Sequence, residues 1–93
     1  MCYVMSWKVS FTSKAAKQVE KLPARDRDLI SRLVGELQLV GPVQPRWRNY
    51  SKLGSDTYHC HLSYRWVACW RVKDNNVQLI EIYYAGSREN APY

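Results

Sequence analysis

Residues 58–84, YHCHLSYRWVACWRVKDNNVQLIEIYY, decide the fold of this chain. They contain three apolar runs, 58–62, 66–72 and 77–84, which are rich in aromatic and β-branched residues and therefore predict three strands. The polar stretches between the runs are short. Residues 73–76 predict a hairpin turn, because Asn75 and Asn76 tolerate a positive φ. Three consecutive strands joined by such turns form an antiparallel meander.

Two amphipathic segments precede the meander. Thr12 or Ser13 is suited to cap the first helix, which is predicted to end at about residue 22. A second helix is predicted over 25–39, where leucine, isoleucine and valine form a broad apolar stripe. Gly41 and the proline after it end this helix. The two segments therefore predict an antiparallel helical hairpin.

A further strand is predicted ahead of the helices, because apolar side chains alternate at Tyr3, Met5, Trp7, Val9 and Phe11. The order is then β-α-α-β-β-β, an α+β fold in a single domain spanning residues 1–93. The hairpin of residues 13–39 has to bury its stripe against one face of the antiparallel sheet, since this short chain offers nothing else to cover it. The other face of the sheet is left open.

The composition favours a polyanionic partner without requiring one. Fourteen Lys and Arg against eight Asp and Glu give a net charge of +6, which suits RNA, DNA or an acidic protein, although solubility explains it equally well. No apolar run is long enough to cross a bilayer and the N-terminus has no signal-peptide layout, so a cytoplasmic protein is expected. The odd number of cysteines, Cys2, Cys60 and Cys69, and the absence of CxxC spacing argue against a disulfide framework and a zinc ribbon. Cys60 and Cys69 lie in predicted strands and are expected to be small core residues.

Alternation in the second strand places two histidines on the open face. Tyr58, Cys60 and Leu62 are predicted to face the helices, so His59 and His61 face the other way. Two imidazoles that titrate near neutral pH could form a general acid–base pair. They could also ligate a metal, although no third ligand is evident, or make ordinary hydrogen bonds.

Basic and aromatic residues favour chemistry on a phosphodiester. Arg88 follows the last strand, and its guanidinium matches phosphate oxygens, while Tyr93 can stack on a base and still offer a hydroxyl. The segment RWRNYSK, residues 46–52, is basic and aromatic. The candidate RNA-binding residues are Arg46, Arg48, Lys52, Arg65 and Arg71.

The chain resembles the RelE/ParE superfamily of bacterial toxins. The resemblance runs through WKVSFTSKAAKQVEKLP (7–23), NYSKLGSDTYHCHL (49–62), WVACWRV (66–72) and IEIYYAGSRENAPY (80–93). It implies a helical hairpin on an antiparallel sheet. It also implies a ribosome-dependent endoribonuclease that cuts messenger RNA by attack of the 2′-hydroxyl on the neighbouring phosphate, without a metal or cofactor. The implied partners are an antitoxin, the ribosome and messenger RNA.

The resemblance also suggests individual roles. Arg88 and Tyr93 match the family's arginine after the last strand and its C-terminal tyrosine, and Lys52 matches a basic residue before the second strand. His59 and His61 fall where RelE has two lysines. The arginine that the family has at the start of its third strand falls on a valine, or on Arg65 if the turn is shifted.

In this interpretation, one histidine is the general base on the 2′-hydroxyl, and the other histidine or Tyr93 serves the leaving 5′-oxygen. Arg88 clamps the phosphate, and Arg88 and Lys52 lower the pKa of the histidines. Two alternatives remain open. One is a non-enzymatic ParE-like toxin that binds DNA gyrase, and the other is an inactive RNA-binding relative.

Overall fold

The computed structural model describes residues 7–93. In chain order the elements are β1 (Lys8–Phe11), α1 (Ser13–Glu20), α2 (Ala24–Val40), β2 (Ser51–Lys52), β3 (Thr57–His61), β4 (Trp66–Asp74) and β5 (Leu79–Ser87), followed by a 3-10 turn at Arg88–Asn90. The α+β class and the helical hairpin ahead of the meander are confirmed. The predicted positions of Tyr3 and Met5 on the first strand lie outside the described residues.

Over residues 7–93 the sheet has five strands in the order β1-β5-β4-β3-β2 and is mixed, whereas a wholly antiparallel sheet was predicted. β1 runs parallel to β5, with Lys8 beside Leu79 and Phe11 beside Ile82. Because parallel strands are joined by a long crossover, here the two helices and the meander, no local sequence pattern could show this pairing. β2 is a two-residue strand on the other edge, too short to produce an alternating pattern.

Caps and a glycine set the limits of the helices. The Thr12 hydroxyl accepts a hydrogen bond from the Ala15 N–H at 3.0 Å, which confirms the predicted cap of α1. α2 ends at Gly41, whose φ of 98° disfavours any residue with a side chain. A Cβ at Gly41 would also lie 2.8 Å from Nε1 of Trp7. This close approach joins the end of α2 to the start of β1.

Both faces of the sheet carry buried side chains. The helices cover one face, where the buried residues include Ala15, Ile30, Leu33, Leu37, Tyr58, Cys60, Trp70, Ile80 and Ile82. On the other face Val67, Cys69 and Tyr84 form a smaller cluster. A bulge in β5 shifts the register from Cys69–Tyr84 to Trp70–Ile82, and this extra residue turns Tyr84 away from the helices.

The two cysteines within the described residues are free and buried, as predicted for small core residues. Burial raises the pKa of Cys69 to about 12 and also raises the pKa of Cys60. Both thiols therefore stay protonated and unreactive at neutral pH. Cys2 lies outside the described residues. Between residues 7 and 93 there is no helix with the length and apolar character needed to cross a membrane.

Candidate active site

His59 and His61 lie on the face of the sheet opposite the helices, as predicted. Their neighbours along β3, Tyr58 and Cys60, belong to the core beneath the helices. Across the β3–β4 ladder, His59 pairs with Cys69 and His61 with Val67, two members of the smaller cluster on the other face. The alternation predicted for β3 is therefore confirmed. The centroids of the two imidazole rings lie 5.7 Å apart.

This face is not open, however, because the segment after β5 folds back over it. Ala91 packs against the smaller cluster, and the Tyr93 ring lies on the His59 ring with centroids 4.2 Å apart. His59 and His61 are only 7% and 8% exposed. The expectation of an uncovered face is thus wrong, since the sequence does not show that the tail crosses β4 and β3 instead of leaving the sheet.

His59 is held by the edge strand. Its Nδ1 lies 3.0 Å from the Oγ of Ser51, its partner in the β2–β3 ladder. Burial lowers the pKa of His59, the neighbouring His61 lowers it further, and a hydrogen bond at Ser51 partly opposes both effects. The ring is therefore neutral at neutral pH. Ser51 was missed in the sequence because β2 has no recognisable pattern.

Of the two histidines, His61 has the more positively charged surroundings. Burial lowers its pKa, and the positive charges of Arg88 and then Arg48 lower it further. The backbone N–H of His61 donates to the carbonyl of Arg48 at 2.8 Å, which fixes the loop against the end of β3. The direction of both pKa shifts agrees with the prediction, but the predicted cause applies only to His61, where Arg88 contributes and Arg48 takes the place expected for Lys52; the pKa of His59 is lowered by burial and by His61.

Arg88 is anchored through the turn between β3 and β4. Its backbone N–H donates to the Arg65 carbonyl at 2.9 Å, and its guanidinium carbon lies 4.5 Å from the centroid of the Tyr64 ring. Its Nη2 also donates to the Tyr64 hydroxyl at 3.3 Å. The turn itself is tied to α2, because Ser63 donates to the buried carboxylate of Asp26 at 2.7 Å. Sequence reasoning did not identify Tyr64.

Arg88 keeps donors free for an anion. Among residues 7–93 the ion pairs are those of Glu81 with Arg71, at 3.0 Å, and with Lys73, at 3.8 Å. No carboxylate of the described chain therefore neutralises Arg88. An arginine stacked on an aromatic ring presents the rest of its planar fork to a phosphate.

Tyr93 is a proton donor at neutral pH. Burial is the largest of the effects that raise its pKa, and Arg88 opposes them only in part. The phenol therefore stays protonated, although its side chain is half exposed. A protonated phenol beside a neutral imidazole gives the site one donor and one acceptor.

The other predicted RNA-binding residues are distributed unevenly. Lys52 pairs with Tyr58, and its Nζ lies 5.8 Å from that ring, so alternation puts it on the side opposite His59. Arg71 is compensated by Glu81 and stacks on the Tyr83 ring at 4.5 Å. Arg65 lies in the turn that bonds to Arg88. Arg46 and Arg48 line a cleft of about 360 Å³ that His61 also lines.

Within residues 7–93, no group of three or more histidine, cysteine or acidic side chains is placed to hold a metal ion. Among residues 7–93, the side chains that contact the two imidazole rings include Ser51 and Tyr93, and the rings also lie beside each other. The arrangement that the chain does provide is a neutral acid–base set beside uncompensated arginines.

Comparison with solved structures identifies the architecture. A chain of the archaeal RelE–RelB complex from Pyrococcus horikoshii superposes with a TM-score of 0.72 at 17% identity, and the match covers 91% of this chain and 98% of that chain. The chain has the fold of the RelE-like toxins. A mutant of the Escherichia coli toxin RelE in the free state gives a TM-score of 0.71 at 17% identity, with 91% and 86% covered.

The YoeB–YefM complex from Staphylococcus aureus gives a TM-score of 0.68 at 16% identity, covering 89% of this chain and 98% of that chain. No protein-family model matches the chain, and no curated protein matches it in sequence. The likeness is therefore one of fold.

Proposed function

We propose that this chain is the toxin of a toxin–antitoxin pair and an endoribonuclease that cleaves messenger RNA on the ribosome. One observation carries the proposal: a neutral His61, flanked by the charges of Arg88 and Arg48, lies beside a His59 ring that is covered by the protonated phenol of Tyr93. A base, a proton donor and fixed positive charge on one face are what cleavage of an RNA phosphodiester requires.

His61 is proposed as the general base. It stays neutral because of burial and the adjacent arginines, and the same arginines would draw a phosphate to it. The 2′-hydroxyl oxygen attacks the neighbouring phosphorus while its proton passes to the imidazole of His61. The P–O5′ bond breaks at the same centre, which leaves a 2′,3′-cyclic phosphate on the upstream fragment.

Tyr93 is proposed as the general acid. Its raised pKa keeps the proton on the phenol until the leaving 5′-oxygen accepts it, which gives a free 5′-hydroxyl. His59 holds the Tyr93 ring from below and is itself held by Ser51. His59 is thus a positioning residue in this scheme.

Arg88 is proposed to bind the scissile phosphate. Tyr64 fixes its guanidinium on one side, and no acidic residue of the described chain competes for it. Charge develops on the phosphate oxygens in the transition state, so a preorganised guanidinium lowers the barrier more than it strengthens ground-state binding.

An antitoxin is the proposed partner, because two of the similar structures are complexes of a toxin with RelB or with YefM. The ribosome and messenger RNA are the proposed targets, and the cytoplasm is the proposed compartment. The net charge of +6 suits an RNA surface.

A reconstituted translation reaction tests the proposal against the gyrase alternative. Added protein is expected to stop translation and shorten the message, while leaving the supercoiling activity of purified gyrase unchanged. His61→Gln keeps a neutral polar side chain but cannot serve as the same base, so it should restore translation. Inhibition of supercoiling with an intact message would instead establish the gyrase alternative.

A further inference from the structure

A cleft beside His61 contains residues that the proposed reaction does not use, among them Arg32, Arg46 and Trp47. It lies between α2 and the loop that follows Gly41, it has a volume of about 360 Å³, and its lining includes Arg32, Arg46, Trp47, Arg48 and His61. Pockets that bind small ligands start at about 300 Å³, so the space suits a single nucleotide. Because His61 lines the cleft, a chain bound at the reacting phosphate can continue into it.

The cleft carries uncompensated positive charge. Arg32, Arg46 and Arg48 are exposed, and Glu36 is the one acidic residue that residues 7–93 contribute to the lining of the cleft. The spacing of Asp28, Arg32 and Glu36 predicts ion pairs along α2. Within the described part of the chain none forms, since its ion pairs all involve Glu81. The Arg32 guanidinium is therefore available to an external anion.

The loop that carries Arg46 and Arg48 is held in place by its own hydrogen bonds. The buried side chain of Gln44 donates to the Gly41 carbonyl at 2.8 Å, and the Trp47 N–H donates to the Gln44 carbonyl at 3.0 Å. Trp47 packs partly against the helix-side core and is partly exposed along the cleft. A fixed indole with one accessible side is a surface on which a base can stack.

We propose that this cleft is a second nucleotide subsite, in which Arg32, Arg46 and Arg48 bind the phosphate of a nucleotide next to the scissile one and Trp47 stacks on its base. The inference rests on the proposed ribonuclease function and names four substrate contacts on the helix and loop side of the site. An acidic peptide could satisfy the arginines but would leave the indole unused, so RNA is the better occupant.

Binding of an uncleavable RNA tests the subsite separately from catalysis. The probe is an octamer in which every 2′-hydroxyl is methylated, titrated against the intact protein over a range of salt concentrations. Arg32→Ala should weaken binding about three- to tenfold and reduce the magnitude of the slope of log K against log salt by about 0.7, the value for one phosphate of a single strand. Lys14→Ala removes the same charge from exposed α1 and should have no such effect.

Tryptophan fluorescence provides an independent measurement. The octamer should quench part of the emission of the wild-type protein, and Trp47→Phe should lose that quenching while the protein retains its melting temperature. If Arg32→Ala and Lys14→Ala weaken binding equally, the subsite is wrong even if the protein cleaves RNA. If an oligoglutamate peptide binds with the same Arg32 dependence and the RNA does not, the cleft is a peptide site and the proposal is also wrong.

The outcomes keep the subsite and the function distinguishable. Arg32-dependent binding and Trp47 quenching without any cleavage by the wild-type protein would support the subsite and contradict the ribonuclease proposal. Cleavage without Arg32 dependence or Trp47 quenching would support the ribonuclease and contradict the subsite.

Discussion

The ring of Tyr93 lies on the ring of His59, with centroids 4.2 Å apart and planes inclined by 43°. The contact closes the face of the sheet that carries both histidines, and it places a protonated phenol within reach of whatever binds there. Tyr93 thus combines a structural contact with a proposed chemical role. The two contributions can be separated, because one depends on the ring and the other on the hydroxyl.

Tyr93→Phe keeps the ring on His59 and removes only the hydroxyl. Cleavage should fall about 100-fold or more if the phenol protonates the leaving oxygen, while the melting temperature stays unchanged. Tyr93→Ala removes the ring as well and should lower the free energy of unfolding by about 0.5–1.5 kcal/mol. Urea unfolding and single-turnover cleavage of the same preparations measure both effects. Normal cleavage by Tyr93→Phe would eliminate Tyr93 as the acid.

Ser51 is expected to act through His59. Ser51→Ala removes the hydroxyl that lies 3.0 Å from Nδ1 and should lower stability by about 1 kcal/mol, because a buried ring nitrogen loses its partner. Cleavage should fall by less than it does in Tyr93→Phe. Ser55→Ala, in the exposed turn before β3, is the matched control and should change neither quantity. Identical unfolding curves for the two variants would show that the contact contributes no stability.

The histidine pair should make the protein less stable in mild acid. Both imidazoles have folded-state pKa values below the ordinary value of 6.5, so below that pH the unfolded chain binds more protons than the folded one. The free energy of unfolding should therefore decrease as the pH falls through about 6.5 and until the folded-state imidazoles are also protonated, and the histidine effect should disappear well above pH 6.5. In the double variant His59→Gln and His61→Gln, the free energy of unfolding should depend less on pH over this interval. Urea titrations at a series of pH values measure the slope, and equal slopes would contradict the lowered pKa values.

Arg88 and Arg71 provide a comparison between a free and a compensated arginine. Arg88→Ala should abolish most cleavage with little loss of stability, because Arg88 is exposed and its ring contact and side-chain hydrogen bond are made with the exposed Tyr64. Arg71→Ala breaks the 3.0 Å ion pair with Glu81 and should affect cleavage far less. Measured kcat and KM for the two variants test this order. A greater loss of kcat in Arg71→Ala would support the prediction from the sequence that Arg71 contacts the RNA.

The sequence was sufficient for features that depend on local periodicity. The cap at Thr12, the termination at Gly41 and the alternation of Tyr58, His59 and Cys60 are all properties of neighbouring residues, and the structure bears them out. Each is dictated by backbone geometry that repeats every two or 3.6 residues. The fold class followed from their order along the chain.

Features that depend on distant residues could not be predicted in this way. The parallel pairing of Lys8 with Leu79 and the placement of Tyr93 on His59 are contacts between separate segments. Whether an arginine or lysine is paired with a carboxylate also depends on tertiary structure. Glu81 compensates Arg71 across the β4–β5 ladder, while Arg32 lacks the pairing that its spacing on α2 suggests. The sequence therefore predicted the histidines of the candidate site, but it did not predict which side chains surround them.

Chemical analysis of the RNA ends tests the central claim most directly. Ribosomes programmed with a labelled message are incubated with the wild-type protein or with His61→Gln, and the fragments are examined for their terminal groups. The account predicts a 2′,3′-cyclic phosphate upstream and a free 5′-hydroxyl downstream, both absent with His61→Gln. Fragments with 5′-phosphate ends, or equal cleavage by the two proteins, would contradict the account.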